Sequence, residues 1–283
     1  AYEMIWRLEF RRVLFRSSGK MTDVTLPAFN VDLKVDDAMF HYPDLPKSVE
    51  NIQIDINVSN PGGSEDKTIV NINKFHVEMG DNPVDVSMLL KTPISDPDIS
   101  GMFKAQIDLA SIKDFIPVEE GENYNGNITS NIEFAGKMST IDQEDYENFL
   151  MKGNLIVLDV NYQTSSMPYN IDVSKLYMDF SPKFVELTAF EANIGRSDMA
   201  ASGRIDNFLA YALRDESLSG TFNIVSNYMD LNEFMEDDTT STSVDSSNTT
   251  ADTTASGVIE VPSNINFVMK TDIKEMLYDN ILS

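Results

Sequence analysis

Chemistry needs groups that can carry it, and this chain supplies few. His41 and His76 are its only imidazoles, it has no cysteine, and 46 carboxylates stand against 21 Lys and Arg. Without a thiol there is no thiolate nucleophile, disulfide framework or Cys-based zinc site. The two histidines fall on different candidate strands, with no Cys or Ser-rich turn beside either. A lone His on a β face is ordinarily a hydrogen-bonded strand residue rather than a base. Carboxylates this numerous pair by chance, and no spacing marks one couple as the acid and base of a glycosidase. Gly62-Gly63 lacks the lysine and following helix of a phosphate loop, and neither HExxH nor GxSxG occurs. These readings lead us to expect no enzyme, no catalytic residue, no metal site and no cofactor.

What remains is the chemistry of apolar surface. Asn51 to Asn60 reads NIQIDINVSN, so Ile52, Ile54, Ile56 and Val58 alternate with Gln53, Asp55 and Asn57. Successive strand residues point to opposite faces, so this spacing makes a half-buried strand with one greasy side. The pattern returns at Phe103, Ala105, Ile107 and Leu109, at Ile156, Leu158, Val160 and Tyr162, and at Phe222, Ile224 and Tyr228. Further alternations run through residues 29–35, 84–90, 128–134 and 265–269. The candidate lining of a lipid-binding groove is therefore Ile52, Ile54, Ile56, Val58, Phe103, Ile107, Leu109, Ile156, Leu158, Val160, Phe222 and Ile224. Asp55, Asp108, Asp159 and Asn223 then belong to the opposite side. Two sheets closing these stripes into a sandwich core form the competing arrangement, but they call for short strands recurring every 8 to 12 residues or about that. The length of the alternations leans toward a single extended sheet.

The elements that must carry these stripes define a mostly β fold, an extended, curved, antiparallel, groove-like sheet with a few short helices. Asn60-Pro61-Gly62-Gly63, Ser95-Asp96-Pro97-Asp98 and Ser181-Pro182 supply turns. Thr140 and Gln143 form a capping-box pattern, and Ile141, Tyr146, Phe149 and Leu150 predict an amphipathic helix to about Lys152. Shorter helical turns are expected at 111–115 and 207–213. SGMFKAQIDLASIKDFI from Ser100 matches SGTFNIVSNYMDLNEFM from Ser219, and FHVEMGDNPVDVSM from Phe75 matches FEANIGRSDMAASG from Phe190. One β unit of about 120 residues is therefore expected to be used twice. Residues 21–139 make the first unit, 140–235 a helix plus the second, and 258–283 begin a further one.

Two segments fall outside this scheme. Residues 1–20, AYEMIWRLEFRRVLFRSSGK, crowd Arg7, Arg11, Arg12 and Arg16 into a chain otherwise poor in arginine. Leu8 to Ser17 back-translates to the end of a common sequencing-library adapter, so the segment reads as foreign and is expected to pack poorly. A basic amphipathic membrane helix is the competing reading. Residues 236–257, EDDTTSTSVDSSNTTADTTASG, hold almost nothing to bury and read as a disordered linker without EF-hand spacing. The net charge of −25 argues against nucleic acid, whose binding depends on Lys and Arg displacing counterions. It equally argues against docking on anionic head groups through a basic patch. Lipid must be met through apolar surface, and no run of about 18 apolar residues exists to span a bilayer.

Four stretches together resemble the C-terminal region of AsmA-family proteins: DAMFHYPDLPKSVENIQIDINVSNPGG from Asp37, LLKTPISDPDISGMFKAQIDLASIKDFIP from Leu89, DFSPKFVELTAFEANIGRSDMAASGRIDNFLAYAL from Asp179, and VIEVPSNINFVMKTDIKEMLYDN from Val258. The resemblance implies a cell-envelope protein whose parent is anchored in the inner membrane by an N-terminal segment missing here. Its periplasmic body would be a curved β sheet with a hydrophobic groove. It also implies a part in outer-membrane biogenesis and in moving phospholipid between membranes, with acyl chains as the bound partner and no catalytic residues to carry over. The alternative expectation is a structural or assembly factor for outer-membrane proteins that acts through its sheet edges.

Overall fold

The computed structural model describes residues 5–7, 10–22, 25–118, 122–164, 169–214, 216–234, 264–279 and 281–282. These residues form a single sheet of 15 strands. In chain order they are β1 (Ile5–Arg7), β2 (Phe10–Ser18), β3 (Ala28–His41), β4 (Val49–Asn60), β5 (Ile69–Met79), β6 (Asn82–Lys91), β7 (Asp98–Asp108) and β8 (Asn123–Lys137). There follow β9 (Leu150–Gln163), β10 (Ile171–Phe180), β11 (Phe184–Ile194), β12 (Ser197–Asp206), β13 (Leu218–Asp230), β14 (Ile265–Tyr278) and β15 (Ile281–Leu282). Three short helices interrupt them, α1 (Leu109–Ile112), α2 (Met138–Asp142) and α3 (Phe208–Arg214). From β3 to β15 each strand pairs with the next, while β1 and β2 both lie against β3.

A second sheet that would close the stripes into a sandwich core is absent among the described residues, and the apolar side is covered in part by two hydrophobic clusters that involve the short helices. The sheet is curved, and β-bulges supply the bends. The ladder skips between Val35 and Ala38, between Glu50 and Gln53, and between Asn125 and Asn127. Asp37, Asn51 and Asp159 sit at these skips with left-handed φ of 54°, 49° and 52°. Asp159 is therefore a bulge residue rather than a regular member of the polar face.

Two expectations are corrected. First, the helix expected over 140–152 ends after one turn, at Asp142. Glu144 takes a left-handed φ of 57°, and Asp145 donates its backbone N–H back to the Thr140 carbonyl at 2.7 Å. The Thr140 hydroxyl donates to the Lys137 carbonyl instead of capping a helix. Sheet packing wins here, because Phe149 and Met151 are buried against it and β9 begins between them. Second, the sheet is not wholly antiparallel, since β14 runs parallel to β13 from Leu218↔Ile265 to Asp230↔Leu277. Parallel neighbours require a connection long enough to return the chain to its starting end. The expected linker at 236–257 lies outside the described residues, within that connection.

The arginine-rich start forms strands and no helix among its described residues. β2 pairs with β3 from Phe10↔Val35 to Ser18↔Ala28, so the backbone joins the sheet despite the expectation of poor packing. Its side chains contribute little burial, with Val13 58% and Phe15 67% exposed.

Two hydrophobic clusters anchor the sheet, one at each end of the strands. At the end where β7 leaves the sheet, Val35, Ala38, Val49 and Ile52 bury Phe115, which follows α1. At the other end, Ile99, Met138, Phe149 and Met151 pack with Leu209 and Ala210 of α3. A buried clasp also holds two of the hairpin turns, β5–β6 and β11–β12. Asn82 at the start of β6 accepts the Asp108 N–H at 2.6 Å and donates to the Ser111 hydroxyl at 2.7 Å. Ser197 at the start of β12 accepts the Asp230 N–H at 2.9 Å and donates to Glu233 at 3.0 Å. In both hairpins the turn glycine is left-handed, Gly80 at φ 64° and Gly195 at φ 57°, and any Cβ there would strike Phe115 or Glu233.

Candidate functional site

Directly paired strand residues project from the same side of a sheet, so the ladder itself assigns faces. Starting at Val35, one transverse row runs through Ile54, Phe75, Val86 and Phe103 to Ile132. It continues through Gly153, Phe180, Val185, Ile205 and Gly220 to Phe267 on β14. No member is polar. At about 4.8 Å between strands, this row spans roughly 50 Å across the sheet. A second row on the same face carries Val77, Val84, Ala105, Ser130, Leu155 and Met178, then Leu187, Gly203, Phe222 and Met269. A third joins Ile107, Ile128, Val157, Leu176 and Phe190 to Ala201 and Ile224.

Most of these side chains are neither buried nor free. Ile54, Phe75, Val86, Ile132, Phe180 and Ile205 are half-buried, and Phe103 at the centre is 36% exposed. Val35 and Val185 are buried, Val35 in one cluster with Phe115, while Ile54, Ile132 and Phe180 pack against the two clusters, Phe180 meeting the Phe208 ring of α3 at 5.9 Å; Phe75, Val86 and Phe103 belong to neither cluster. Three glycines stay bare because a neighbouring strand occupies the space. A Cβ on Gly153 would lie 2.0 Å from the Asn131 carbonyl, and on Gly203 2.7 Å from the Phe222 ring. A Cβ on Gly220 would come within 3.2 Å of Phe267, whose ring meets Phe222 edge-on at 5.1 Å.

The reverse face is polar along most of its width. Gln53, His76, Asp85, Lys104, Asn131, Asn154 and Asp179 form the matching row, continued by Glu186, Arg204 and Thr221. His76 sits between Asp85 at 2.7 Å and Glu78 at 3.0 Å, with Asn51 at 3.1 Å. His41 meets the Ser48 hydroxyl and the Lys47 carbonyl, each at 3.3 Å. Neither carboxylate bracket nor Ser contact was read from the sequence, although the tight β5–β6 turn makes His76 and Asp85 cross-strand neighbours. Ser48 stands by His41 while the carboxylates stand by His76, so among the described residues no nucleophile, base and orienting acid come together on one imidazole. No group of three or more His, Asp and Glu is placed to hold a metal among the described residues.

Of the candidate lining residues, Ile54, Ile56, Val58, Phe103, Ile107, Val160, Phe222 and Ile224 share the apolar face. Ile52 shares it but is closed into the cluster around Phe115, at 7% exposure. Leu109 has left the sheet and opens α1. Ile156 and Leu158 project to the other side, where they pair with Thr129 and Tyr177, and with Asn127 and Lys175. The β9 residues on the apolar face before the bulge are Met151, Gly153, Leu155 and Val157. Phe75, Phe180, Val185 and Ile205 were missed. The bulge in β5 between Ile72 and Phe75 breaks the alternation around Phe75, hiding that residue from a period-two reading.

Polar groups gather at both ends of the apolar face. At the α1 end, Tyr124 and Tyr162 stack at 5.1 Å, and the Tyr124 hydroxyl donates to Glu122 at 2.6 Å. That hydrogen bond to a carboxylate pushes the Tyr124 phenol well above its ordinary range. At the α2 end a cavity of about 290 Å³ opens beside the second cluster. Its charged lining is Asp142, Glu144, Lys183 and Asp206, over walls that include Tyr146, Met151 and Phe208. Outside the face, Asp198 ties β12 to β13 by accepting from the Asn227 and Tyr228 backbone N–H at 3.0 and 2.7 Å. Burial alone would raise its pKa, but these donors, with the Asn227 amide and Ser226 hydroxyl, hold it below the usual value.

Compared with known proteins, the chain matches no family model, no curated protein and no solved structure.

Proposed function

We propose that this protein is a non-enzymatic, AsmA-like segment of the cell envelope that binds phospholipid acyl chains along its apolar face and lets them pass between membranes. The parent chain would be held in the inner membrane by an N-terminal anchor, with this body in the periplasm. The observation that carries the reading is the transverse row from Val35 to Phe267, apolar at every position, whose stretch through Phe75, Val86 and Phe103 belongs to neither of the two clusters at the strand ends. Its length of roughly 50 Å exceeds the hydrocarbon thickness of a bilayer, about 30 Å. One row therefore has room for more than one acyl chain end to end, which suits a track better than a single-ligand pocket. Each methylene removed from water contributes about 0.8 kcal/mol, and the successive sites are chemically alike, so sliding costs little. The two clasped hairpins, β5–β6 and β11–β12, are consistent with one unit used twice.

Purified protein analysed by mass spectrometry for bound lipid tests the proposal. Co-purifying phospholipid, reduced in a Phe103→Asp variant that still folds, is the expected result. Protein that retains no lipid and takes none from vesicles overturns it.

One observation favours the alternative of an assembly factor. Among the described residues β14 lies at an edge, partnered on its outer side only near Leu277 and Tyr278, and its Val268 and Met269 are 56% and 57% exposed. Such an edge can accept a partner strand. Crosslinking from β14 to outer-membrane proteins, together with absent lipid, would establish that reading instead.

A further inference from the structure

We infer that the cavity beside α2 seats the phospholipid head group and selects a zwitterionic head, a phosphodiester bearing an ammonium, over an anionic one. This deepens the groove reading and rests on it. The cavity measures about 290 Å³ and shares Ile141, Met151, Phe208 and Leu209 with the cluster closing that end of the apolar face. Met151 lies on the same strand and the same face as Gly153, a member of the transverse row. A lipid with acyl chains on the row therefore has its polar end within reach of the cavity.

The lining charges decide which head fits. Lys183 stands 5.7 Å from the Tyr146 ring centroid, which holds its ammonium at the wall of the cavity. Asp142, Glu144 and Asp206 supply carboxylates, and Asp206 is also engaged by Arg204 at 3.2 Å. A phosphate placed at Lys183 is neutralised, leaving the carboxylates to meet an ammonium on the same head group. A glycerol head offers no cation, so its phosphate alone would enter a lining that is net negative. Like charge at close range opposes binding, and complementary charge sets specificity more than affinity. The chain's net charge of −25 acts in the same direction over longer distances.

The test offers the whole chain vesicles containing equal amounts of phosphatidylethanolamine and phosphatidylglycerol, and measures retained lipid by mass spectrometry. The parental protein is expected to enrich phosphatidylethanolamine at least about fivefold. Glu144→Lys combined with Asp142→Lys should reverse or abolish that preference. Both side chains are exposed, so the variant is expected to fold, checked by circular dichroism. Phe103→Asp should lower total lipid and leave the ratio intact. Equal retention of the two lipids by the parental protein, or a preference unmoved by the double variant, overturns the head-group seat while the groove stands. Retention of neither lipid overturns the groove, and the head-group seat with it.

Discussion

Removing residues 236–257 should release β14 from the sheet, although composition alone argues that the segment is dispensable. The register places Leu218 beside Ile265 and Asp230 beside Leu277. The chain must therefore leave the far end of β13 and return along its whole length before β14 begins. β13 has 13 residues, which at about 3.3 Å each is roughly 40 Å. After the deletion only Met235 and residues 258–263 join Phe234 to Asn264. Fully extended at about 3.4 Å per step, they reach about 27 Å. The shortfall is about four strand residues, so β14 must detach or slip by that much, and either outcome separates Phe267 from Gly220 and the Phe222 ring. Few β14 side chains are covered. Losing the half-burial of Phe267 costs about 1 kcal/mol, and the melting point of the remaining sheet should fall by only about 2–4 °C. The large effect is local. Amide exchange across residues 265–276 should lose its protection, and trypsin should cut after Lys270 and Lys274. Replacing 236–257 by a Gly/Ser stretch of equal length should restore both, because length rather than composition is required. Full protection of β14 after the deletion would refute the parallel register.

The assignment of faces makes a second prediction. Ile156→Asp and Leu158→Asp should leave lipid retention at the parental level, because both project to the polar side, and a loss comparable to that of Phe103→Asp would contradict the ladder. Val185→Asp, at a position only 1% exposed, should instead unfold the protein, since a buried unpaired charge costs several kcal/mol. Gly153→Ala should destabilise by at least about 1–3 kcal/mol, read from urea unfolding, because φ of +142° and the Asn131 carbonyl both exclude a Cβ. Asp198 has a folded pKa below its unfolded value, so its contribution is complete above the ordinary carboxylate range and is lost as pH falls from about 5 toward 2. Asp198→Asn should flatten that part of the stability profile, and an unchanged slope would remove Asp198 as the cause.

Strand identity and the existence of a one-sided apolar sheet were legible in the sequence because side chains alternate along any strand, whatever its neighbours do. NIQIDINVSN needs no partner to be read, and the ladder keeps Ile54, Ile56 and Val58 together. Short helices after β7 and β12 were legible for a similar reason, as their signals are local. Where apolar residues fall on both parities, local pattern is silent. Leu155, Ile156, Val157 and Leu158 offer two equal readings, and only pairing with Ile128 and Leu176 puts Val157 on the apolar face. The bulge at Asp159 then restores Val160 to that face, a shift invisible to a fixed period of two. The helical signal after Thr140 was real but weak, and burial of Phe149 and Met151 against the sheet overrode it. Likewise the composition of 236–257 speaks to burial and not to direction, whereas the direction of β14 depends on where the next free edge lies. Chain-local chemistry therefore determined that the molecule has a greasy side. Long-range pairing decided which residues compose it, how far it runs without interruption, and which charged groups stand at its ends.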